Sequence, residues 1–239
     1  MLLAIDIGNT TINNGIFYRG KLIKSFRTPA YGIDFKAVYK KRLSSVEKII
    51  IVSVVPNILK ELERELKKIF KGKVLVVGRD VASGVKNRYR NPRQVGQDRL
   101  VNARAAYELY GKNCIIVDFG TAITIDVVNR KKEYLGGLIV PGVEISLKAL
   151  YEKAYLLPKV SLKKPKGILG KETRESMVSG AVYGFSSMCD GIVNKLKRKY
   201  CRGGRVIATG GMSELIGPYC ETVDKIDPYL TLKGLNFTL

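Results

Sequence analysis

The chain contains no histidine and no tryptophan among its 239 residues. The lack of histidine excludes Ser-His-Asp and Cys-His catalysis, His-liganded zinc sites and an imidazole proton shuttle. A general base in this protein must therefore be another side chain, and a carboxylate is the first alternative.

The four cysteines lie far apart and form no Cys-x-x-Cys pair. This spacing argues against a zinc site, a thioredoxin-like motif and a disulfide framework, so we expect reduced thiols in a cytoplasmic protein. No apolar run approaches the roughly 18–20 residues of a membrane-spanning helix. The N-terminus lacks a basic region and has an acid at Asp6, which is not typical of a signal peptide.

Acidic residues are also scarce: the chain has 21 Asp+Glu and 42 Lys+Arg, which gives a formal net charge of +21. Such an excess is typical of proteins that meet nucleic acid, a membrane surface or anionic small molecules. The hydrophobic fraction of 46% indicates a folded protein rather than a disordered one.

The order of elements repeats along the chain. Apolar runs predict a three-strand meander, followed by helices and further strands, and the same order begins again after residue 113. We therefore predict two related domains, residues 1–108 and 109–239. The predicted meander strands are residues 2–7, 11–18 and 22–27 in the first half, and 114–117, 122–128 and 134–139 in the second.

Both halves place an acidic residue near the end of the first strand, with a glycine turn after it. The two turns read Asp6-Ile-Gly-Asn-Thr10 and Asp118-Phe-Gly-Thr121. Their glycines, Gly8 and Gly120, permit close backbone approach, and amides of a tight turn can bind an anion. An aspartate there needs a cation such as Mg²⁺ between itself and a phosphate. The alternative is two unrelated turns of a common type.

A third turn, Thr209-Gly210-Gly211, follows a late strand and leaves room for a flat adenine or ribose ring. Its alternative is a plain strand–helix connection. Competing nucleotide motifs fail, because the chain has no G-x-G-x-x-G after a strand. Residues 167–173 also lack the glycine spacing and the Ser or Thr of a phosphate-binding P-loop.

Asp98 and Arg99 stand side by side where a loop rich in hydrogen-bond donors enters a helix. In one interpretation Asp98 caps the helix and Arg99 is solvated. In the other, Arg99 pairs with a substrate carboxylate and Asp98 accepts the proton of an attacking hydroxyl, as in kinases. Spacing alone does not separate the two.

The ordered motifs make the chain resemble the type III pantothenate kinases, of the acetate and sugar kinase/actin superfamily. The resemblance spans nearly the whole length. It depends on the two aspartate turns and on the following further segments: Asn91-Pro92, Gly96-Gln-Asp-Arg99, Gly136-Gly-Leu-Ile-Val-Pro-Gly142, Leu157-Pro158, Gly170-Lys-Glu-Thr173, Gly180 and Thr209-Gly-Gly211.

This resemblance implies an α/β fold of two actin-like (ribonuclease H-like) domains with mixed sheets and ATP in the cleft between them. It implies phosphorylation of pantothenate by ATP in a cytoplasmic homodimer, with Mg²⁺ and a monovalent cation, K⁺ or NH₄⁺, and without nucleic-acid or membrane partners. Two alternatives stay open: a basic nucleic-acid-binding or transcription-accessory protein, and a related small-molecule kinase.

The resemblance also assigns residues. Asp98 is the implied general base, and the substrate pocket comprises Tyr89, Gly96, Asp98, Arg99 and, from the partner subunit of a dimer, the residue equivalent to Thr173. Asp6 would hold hydrated Mg²⁺, and Asp118 would hold the monovalent cation. The implied ATP- and phosphate-binding residues are Asp6, Gly8, Asn9, Thr10, Gly120, Thr121, Gly210 and Gly211.

Overall fold

The structure, a computed structural model, describes residues 1–238 and divides into two compact units. Unit 1 comprises Met1–Ala105 together with the C-terminal segment that starts at Leu230, and unit 2 comprises Ala106–Tyr229. The sequence analysis instead assigned that C-terminal segment to the second domain.

Unit 1 contains a mixed five-stranded sheet in the order β3-β2-β1-β4-β5. The central strand β1 is antiparallel to β2 and parallel to β4. The elements of this part of the chain are β1 (Leu2–Ile7), β2 (Thr11–Tyr18), β3 (Lys21–Pro29), α1 (Phe35–Lys40), β4 (Lys48–Ser53), α2 (Pro56–Ile69), β5 (Lys73–Val76), β6 (Lys86–Asn87), a 3₁₀ turn (Pro92–Gln94) and α3 (Gln97–Leu109).

Helix α2 shows how the apolar pattern builds this unit. Ile58, Leu62 and Leu66 recur at helical spacing, are buried and pack on the sheet. The helix begins at Pro56, whose fixed φ and missing N–H suit the first helical position.

Unit 2 repeats the arrangement. Its strands follow the order β11-β10-β7-β8-β9, and β7 is antiparallel to β8 and parallel to β10. This likeness to unit 1 agrees with the duplication expected from the sequence. The elements are β7 (Cys114–Phe119), β8 (Ala122–Val128), β9 (Glu133–Pro141), α4 (Val143–Lys153), α5 (Thr173–Lys199), β10 (Arg205–Thr209), α6 (Ser213–Ile216), a 3₁₀ turn (Gly217–Tyr219) and β11 (Lys225–Ile226).

A last helix, α7 (Leu230–Asn236), was not predicted from the sequence. Its Leu232 and Leu235 are buried in one cluster with Ala4 and Val101. Gly234 lets the helix approach α3 closely, because a Cβ there would collide with the carbonyl oxygen of Val101. These contacts place the C-terminal segment in unit 1.

All four cysteines are free and buried, as expected. Burial raises the pKa of the Cys201 thiol to about 11, so the thiol is protonated and unreactive near neutral pH. Within residues 1–238, no helix combines the length and the apolar character needed to cross a membrane.

Leu232→Ala should lower the free energy of unfolding by about 2–5 kcal/mol, because Leu232 is 3% exposed and its loss leaves a cavity under α7. Urea denaturation measures the change. The control Leu109→Ala, at a leucine that is 42% exposed, should cost less than about 1 kcal/mol. Equal losses in the two variants would contradict the packing of α7 described above.

Candidate functional site

Asp6 occupies the next-to-last position of β1, the central strand of unit 1. It lies opposite Asn13 of β2, and the Asn13 amide Nδ2 donates a 3.0 Å hydrogen bond to Asp6 Oδ2. Asn13 was not predicted as a site residue from the sequence. The available signal was an Asn-Asn pair inside an otherwise largely apolar strand.

The Asp6 carboxyl is only partly accessible, and its environment opposes ionisation. The pKa of Asp6 is raised to about 7: burial is the main cause, the hydrogen bond from Asn13 lowers it in part, and the negative charge of Asp98 adds a smaller rise. A cation beside this carboxyl would favour the ionised form.

In the turn after β1, Asn9 and Thr10 are exposed and Gly8 is half-buried. The Gly8 N–H donates to the Thr11 carbonyl at 3.0 Å, and the Thr10 carbonyl accepts from Ala30 N–H at 3.0 Å. The Gly8 amide therefore shapes the turn and is not directed at an anion. An incoming anion would meet the exposed part of the turn.

Asp98 lies in the first turn of α3, one residue after the helix begins at Gln97. Its Oδ1 accepts the Arg99 N–H at 2.9 Å and folds back over Gly96, where a Cβ would collide with this oxygen. Asp98 therefore lies inside the helix rather than at its cap, with its carboxylate anchored on its own first turn and packed over the open Cα of Gly96.

Asp6 and Asp98 lie close enough for their charges to interact. The link between them is short: Val54 N–H donates to the Ile7 carbonyl at 3.1 Å, and the Val54 Cγ1 lies 3.6 Å from the position of a Gly96 Cβ. The carboxyl ends of β1 and β4 and the start of α3 therefore meet, which gives unit 1 a two-carboxylate site.

Two other predicted substrate residues also belong to unit 1. Arg99 is 7% exposed, so its guanidinium is held inside the protein rather than solvated. Tyr89 is half-buried, and its N–H donates to Asn87 Oδ1 at 3.0 Å. Their roles toward a substrate stay predictions.

In unit 2, Asp118 near the end of β7 is the counterpart of Asp6. It lies between Thr124 of β8 and Thr209 of β10 in the strand register. Gly210 has φ +90°, and a Cβ there would collide with Asp118 Oδ1 and the Phe119 backbone. The Thr209-Gly210-Gly211 turn therefore packs directly against the Asp118 carboxylate.

Two further residues of unit 2 belong to this cluster and were missed as site residues. A Cβ at Gly142 would collide with the carbonyl oxygens of Gly120 and Thr121, so the start of α4 packs directly on that turn. Thr209 is 1% exposed, and its Oγ1 has no hydrogen-bond partner within residues 1–238. Because in-register neighbours on adjacent strands share a face, this hydroxyl is on the same side as Asp118.

Gly211 and Thr173 have open surroundings. A Cβ at Gly211 would meet no atom of unit 2 within 4 Å, so close approach does not require glycine there. Thr173 is exposed at the first position of α5, and its neighbours Glu172 and Arg174 line a pocket of about 290 Å³. The role predicted for Thr173 at a partner subunit stays a prediction.

Comparison with known proteins points to one family. The sequence profile of the type III pantothenate kinases matches residues 2–195. A type III pantothenate kinase of Bacillus cytotoxicus is 42% identical over 246 residues, which cover 98% of this chain and 94% of that protein.

Solved structures share the fold. A Baf family protein of Campylobacter jejuni aligns with a TM-score of 0.61 at 21% identity, over 99% of this chain and 96% of that one. A ROK family glucokinase of Streptomyces griseus, solved with glucose and AMPPNP, aligns with a TM-score of 0.54 at 11% identity, over 99% and 98%. Structural similarity at identities this low establishes the fold alone. It confirms the predicted α/β fold class.

Gly210→Ala should destabilise the protein by about 1–3 kcal/mol, because the new methyl group meets Asp118 and the positive φ is unfavourable for alanine. The matched control, Gly211→Ala, should change the free energy of unfolding by less than about 0.5 kcal/mol. Thermal and urea unfolding of both variants give the comparison. Equal stability would mean that Gly210 does not close over Asp118.

Proposed function

The chain belongs to the type III pantothenate kinase family, and we propose that it transfers the γ-phosphoryl group of ATP to the primary hydroxyl of pantothenate. The products are 4'-phosphopantothenate and ADP, and the reaction is the first step of coenzyme A biosynthesis. The match to a type III pantothenate kinase at 42% identity over 98% of the chain is the observation that carries this proposal. The free, buried thiols fit a reducing compartment, and we place the reaction in the cytoplasm.

Asp98 is the proposed general base. The substrate hydroxyl attacks the γ-phosphorus, the bond to the bridging oxygen of ADP breaks, and the hydroxyl proton passes to the Asp98 carboxylate. Phosphoryl transfer depends mainly on positioning and charge neutralisation. The hydrogen bond from the Arg99 N–H to Asp98 Oδ1 contributes to this positioning.

The pantothenate carboxylate is assigned to Arg99, and Tyr89 and Gly96 are assigned to the same pocket. A guanidinium held in the protein interior loses little conformational freedom when it pairs with a carboxylate. We assign the phosphates of ATP to the Gly8–Thr10 turn of unit 1 and to the turns at Gly120–Thr121 and Gly210–Gly211 of unit 2.

The residues of unit 1 fit Mg²⁺ bound through water. Within residues 1–238, no group of three or more Cys, Asp or Glu side chains could hold a metal ion directly. Mg²⁺ characteristically keeps several waters and binds through one or two carboxylates plus substrate phosphates, which fits the part-buried carboxylate of Asp6. When bound, Mg²⁺ would neutralise charge on the transferring phosphates.

Asp118 is the proposed ligand of a monovalent cation, K⁺ or NH₄⁺. The fit comes from its neighbour Thr209, whose buried hydroxyl oxygen has no hydrogen-bond partner among the described residues 1–238 and lies on the same face of the sheet. A carboxylate and a hydroxyl oxygen supply the hard oxygen donors that such cations prefer.

We also propose a homodimer formed through unit 2. Large apolar side chains are exposed between α4 and α5, among them Tyr155 at 101%, Leu156 at 85% and Leu169 at 80%. Exposed apolar residues grouped in one segment mark interaction surfaces. Thr173 is the first residue of α5 and directly follows this segment. We assign to Thr173 a contact with the pantothenate bound by the partner subunit.

The reaction is tested by pantothenate-dependent ADP release, measured in a coupled assay with and without K⁺. Asp98→Asn should lower kcat by roughly 10²–10⁴-fold while the circular dichroism spectrum is unchanged, because the carboxamide cannot take the hydroxyl proton. The matched control is Asp34→Asn at the exposed start of α1, where Asn also caps well and kcat should be unchanged. Near-normal turnover of folded Asp98→Asn would refute the assignment of the base.

The dimer is tested by sedimentation equilibrium on the double variant Leu156→Asp/Leu169→Asp. Two charges in a buried apolar interface should convert the protein to monomers and raise the KM for pantothenate. Ile23→Asp introduces the same charge at an apolar residue of unit 1 that is 55% exposed, and it should leave the mass of the assembly unchanged. A double variant that remains dimeric would exclude this surface.

A further inference from the structure

Asp118 of β7 has a threonine beside it on each neighbouring strand. Its register partners are Thr209 of β10 and Thr124 of β8, and in-register residues of adjacent strands present their side chains on one face of the sheet. The Cβ atoms of directly opposite residues in an antiparallel pair are only about 4.5–5.5 Å apart. Asp118 and Thr124 are also half-buried, so an ion can reach them from solvent. The row therefore brings one carboxylate and two hydroxyls together.

The Thr124 hydroxyl has a defined direction. Its Oγ1 donates to Asp126 Oδ2 at 3.0 Å, and Asp126, two residues further along β8, is on the same face of the sheet. A threonine hydroxyl has one hydrogen and two lone pairs. Because the hydrogen is donated to Asp126, both lone pairs are directed away from that residue. An oxygen held in this way can accept a hydrogen bond or bind a cation.

Asp126 is itself held in place. It is 1% exposed, and the Tyr134 hydroxyl donates to its Oδ1 at 2.8 Å. Tyr134 of β9 is fully buried, so close packing restricts the movement of its ring. With Oδ1 bonded to Tyr134, Oδ2 is the oxygen that accepts from Thr124. The direction of the Thr124 hydroxyl thus depends on buried side chains rather than on solvent.

The equivalent row of unit 1 has different chemistry. The register partners of Asp6 are Asn13 of β2 and Val52 of β4. Asn13 donates an N–H to the Asp6 carboxyl, and the Val52 side chain has no polar atom. Gly15, which has no side chain, stands at the register position of Asp126. The sheet arrangement is shared by the two units, so the oxygen-rich row is a feature of the unit 2 sequence.

We propose that Thr124 is a ligand of the monovalent cation assigned to Asp118, and that Asp126 is a positioning residue that turns the Thr124 lone pairs toward that cation. This inference rests on the cation site of the proposed function and adds a second hydroxyl to that of Thr209. Hydroxyl lone pairs suit both candidate cations, because K⁺ binds to oxygen directly and NH₄⁺ donates hydrogen bonds to it. A hydroxyl hydrogen aimed at the cation would repel it, and the bond to Asp126 prevents that orientation.

K⁺ binding is measured without substrates, by the rise of the thermal unfolding midpoint as KCl replaces choline chloride at constant ionic strength. Thr124→Val has nearly the same shape and lacks the hydroxyl, so it should weaken K⁺ binding about tenfold. Thr124→Ser is the matched control, because it retains the hydroxyl and should keep the K⁺ affinity within about threefold. Folded Thr124→Val with wild-type K⁺ affinity would overturn the proposal, and so would equal losses in the Val and Ser variants.

Tyr134→Phe tests the positioning role of Asp126. The change removes the hydroxyl that holds Asp126 Oδ1 and keeps the buried ring, so the K⁺ affinity should fall, by less than in Thr124→Val. In the Thr124→Val background the same change should not lower the K⁺ affinity further, because it acts through the Thr124 hydroxyl. Unfolding midpoints without K⁺ account for any loss of stability. Losses that multiply in the double variant would contradict the positioning role.

The binding measurement separates this inference from the proposed reaction. A wild-type protein that binds K⁺ and releases no ADP with pantothenate would refute the reaction, and the Thr124 variants would still test the ligand. If K⁺ did not raise the wild-type unfolding midpoint, the cation site and the role of Thr124 would both fail. Pantothenate-dependent ADP release would then support the kinase reaction on its own.

Discussion

Each unit depends on one buried strand that is hydrogen-bonded along both edges. β1 lies between β2 and β4, and β7 lies between β8 and β10. Such a strand cannot slip by one residue without turning its apolar side chains to the wrong face, so its register is strongly determined. The acidic residue near its end, Asp6 or Asp118, therefore has a fixed position. The glycine turns and helix starts around each aspartate pack against that fixed point.

In unit 1 this rigidity has an electrostatic consequence. Asp6 and Asp98 are held near one another, and their mutual repulsion adds to the cost of burial at Asp6. A substrate phosphate would increase the negative charge, which is why we propose a cation between these groups. The net charge of +21 acts differently, because surface lysines and arginines attract anions over a distance that salt limits to roughly 8–10 Å. The charge excess therefore attracts anions in general and does not specify which anion is bound.

Much of the fold could be predicted from local pattern. The buried strands of both meanders and the amphipathic helix α2 have periodicities that indicate their structure directly. The helix that was missed has a physical reason. Helix α7 is a short segment stabilised by packing on Ala4 and Val101. Contacts between distant segments decide such elements, and local pattern does not contain them.

The candidate site divides in the same way. The absence of histidine favours a carboxylate base, and the resemblance to a kinase family names Asp98 for that role, which stays a prediction; both follow from residue chemistry, which is a property of the sequence itself. Only the tertiary structure decided that Asn13 orients Asp6 and that Gly210 packs over Asp118. Each of these contacts joins residues that are separate in the chain. They arise because close packing in the folded interior, rather than local propensity, determines which backbone and side-chain atoms meet.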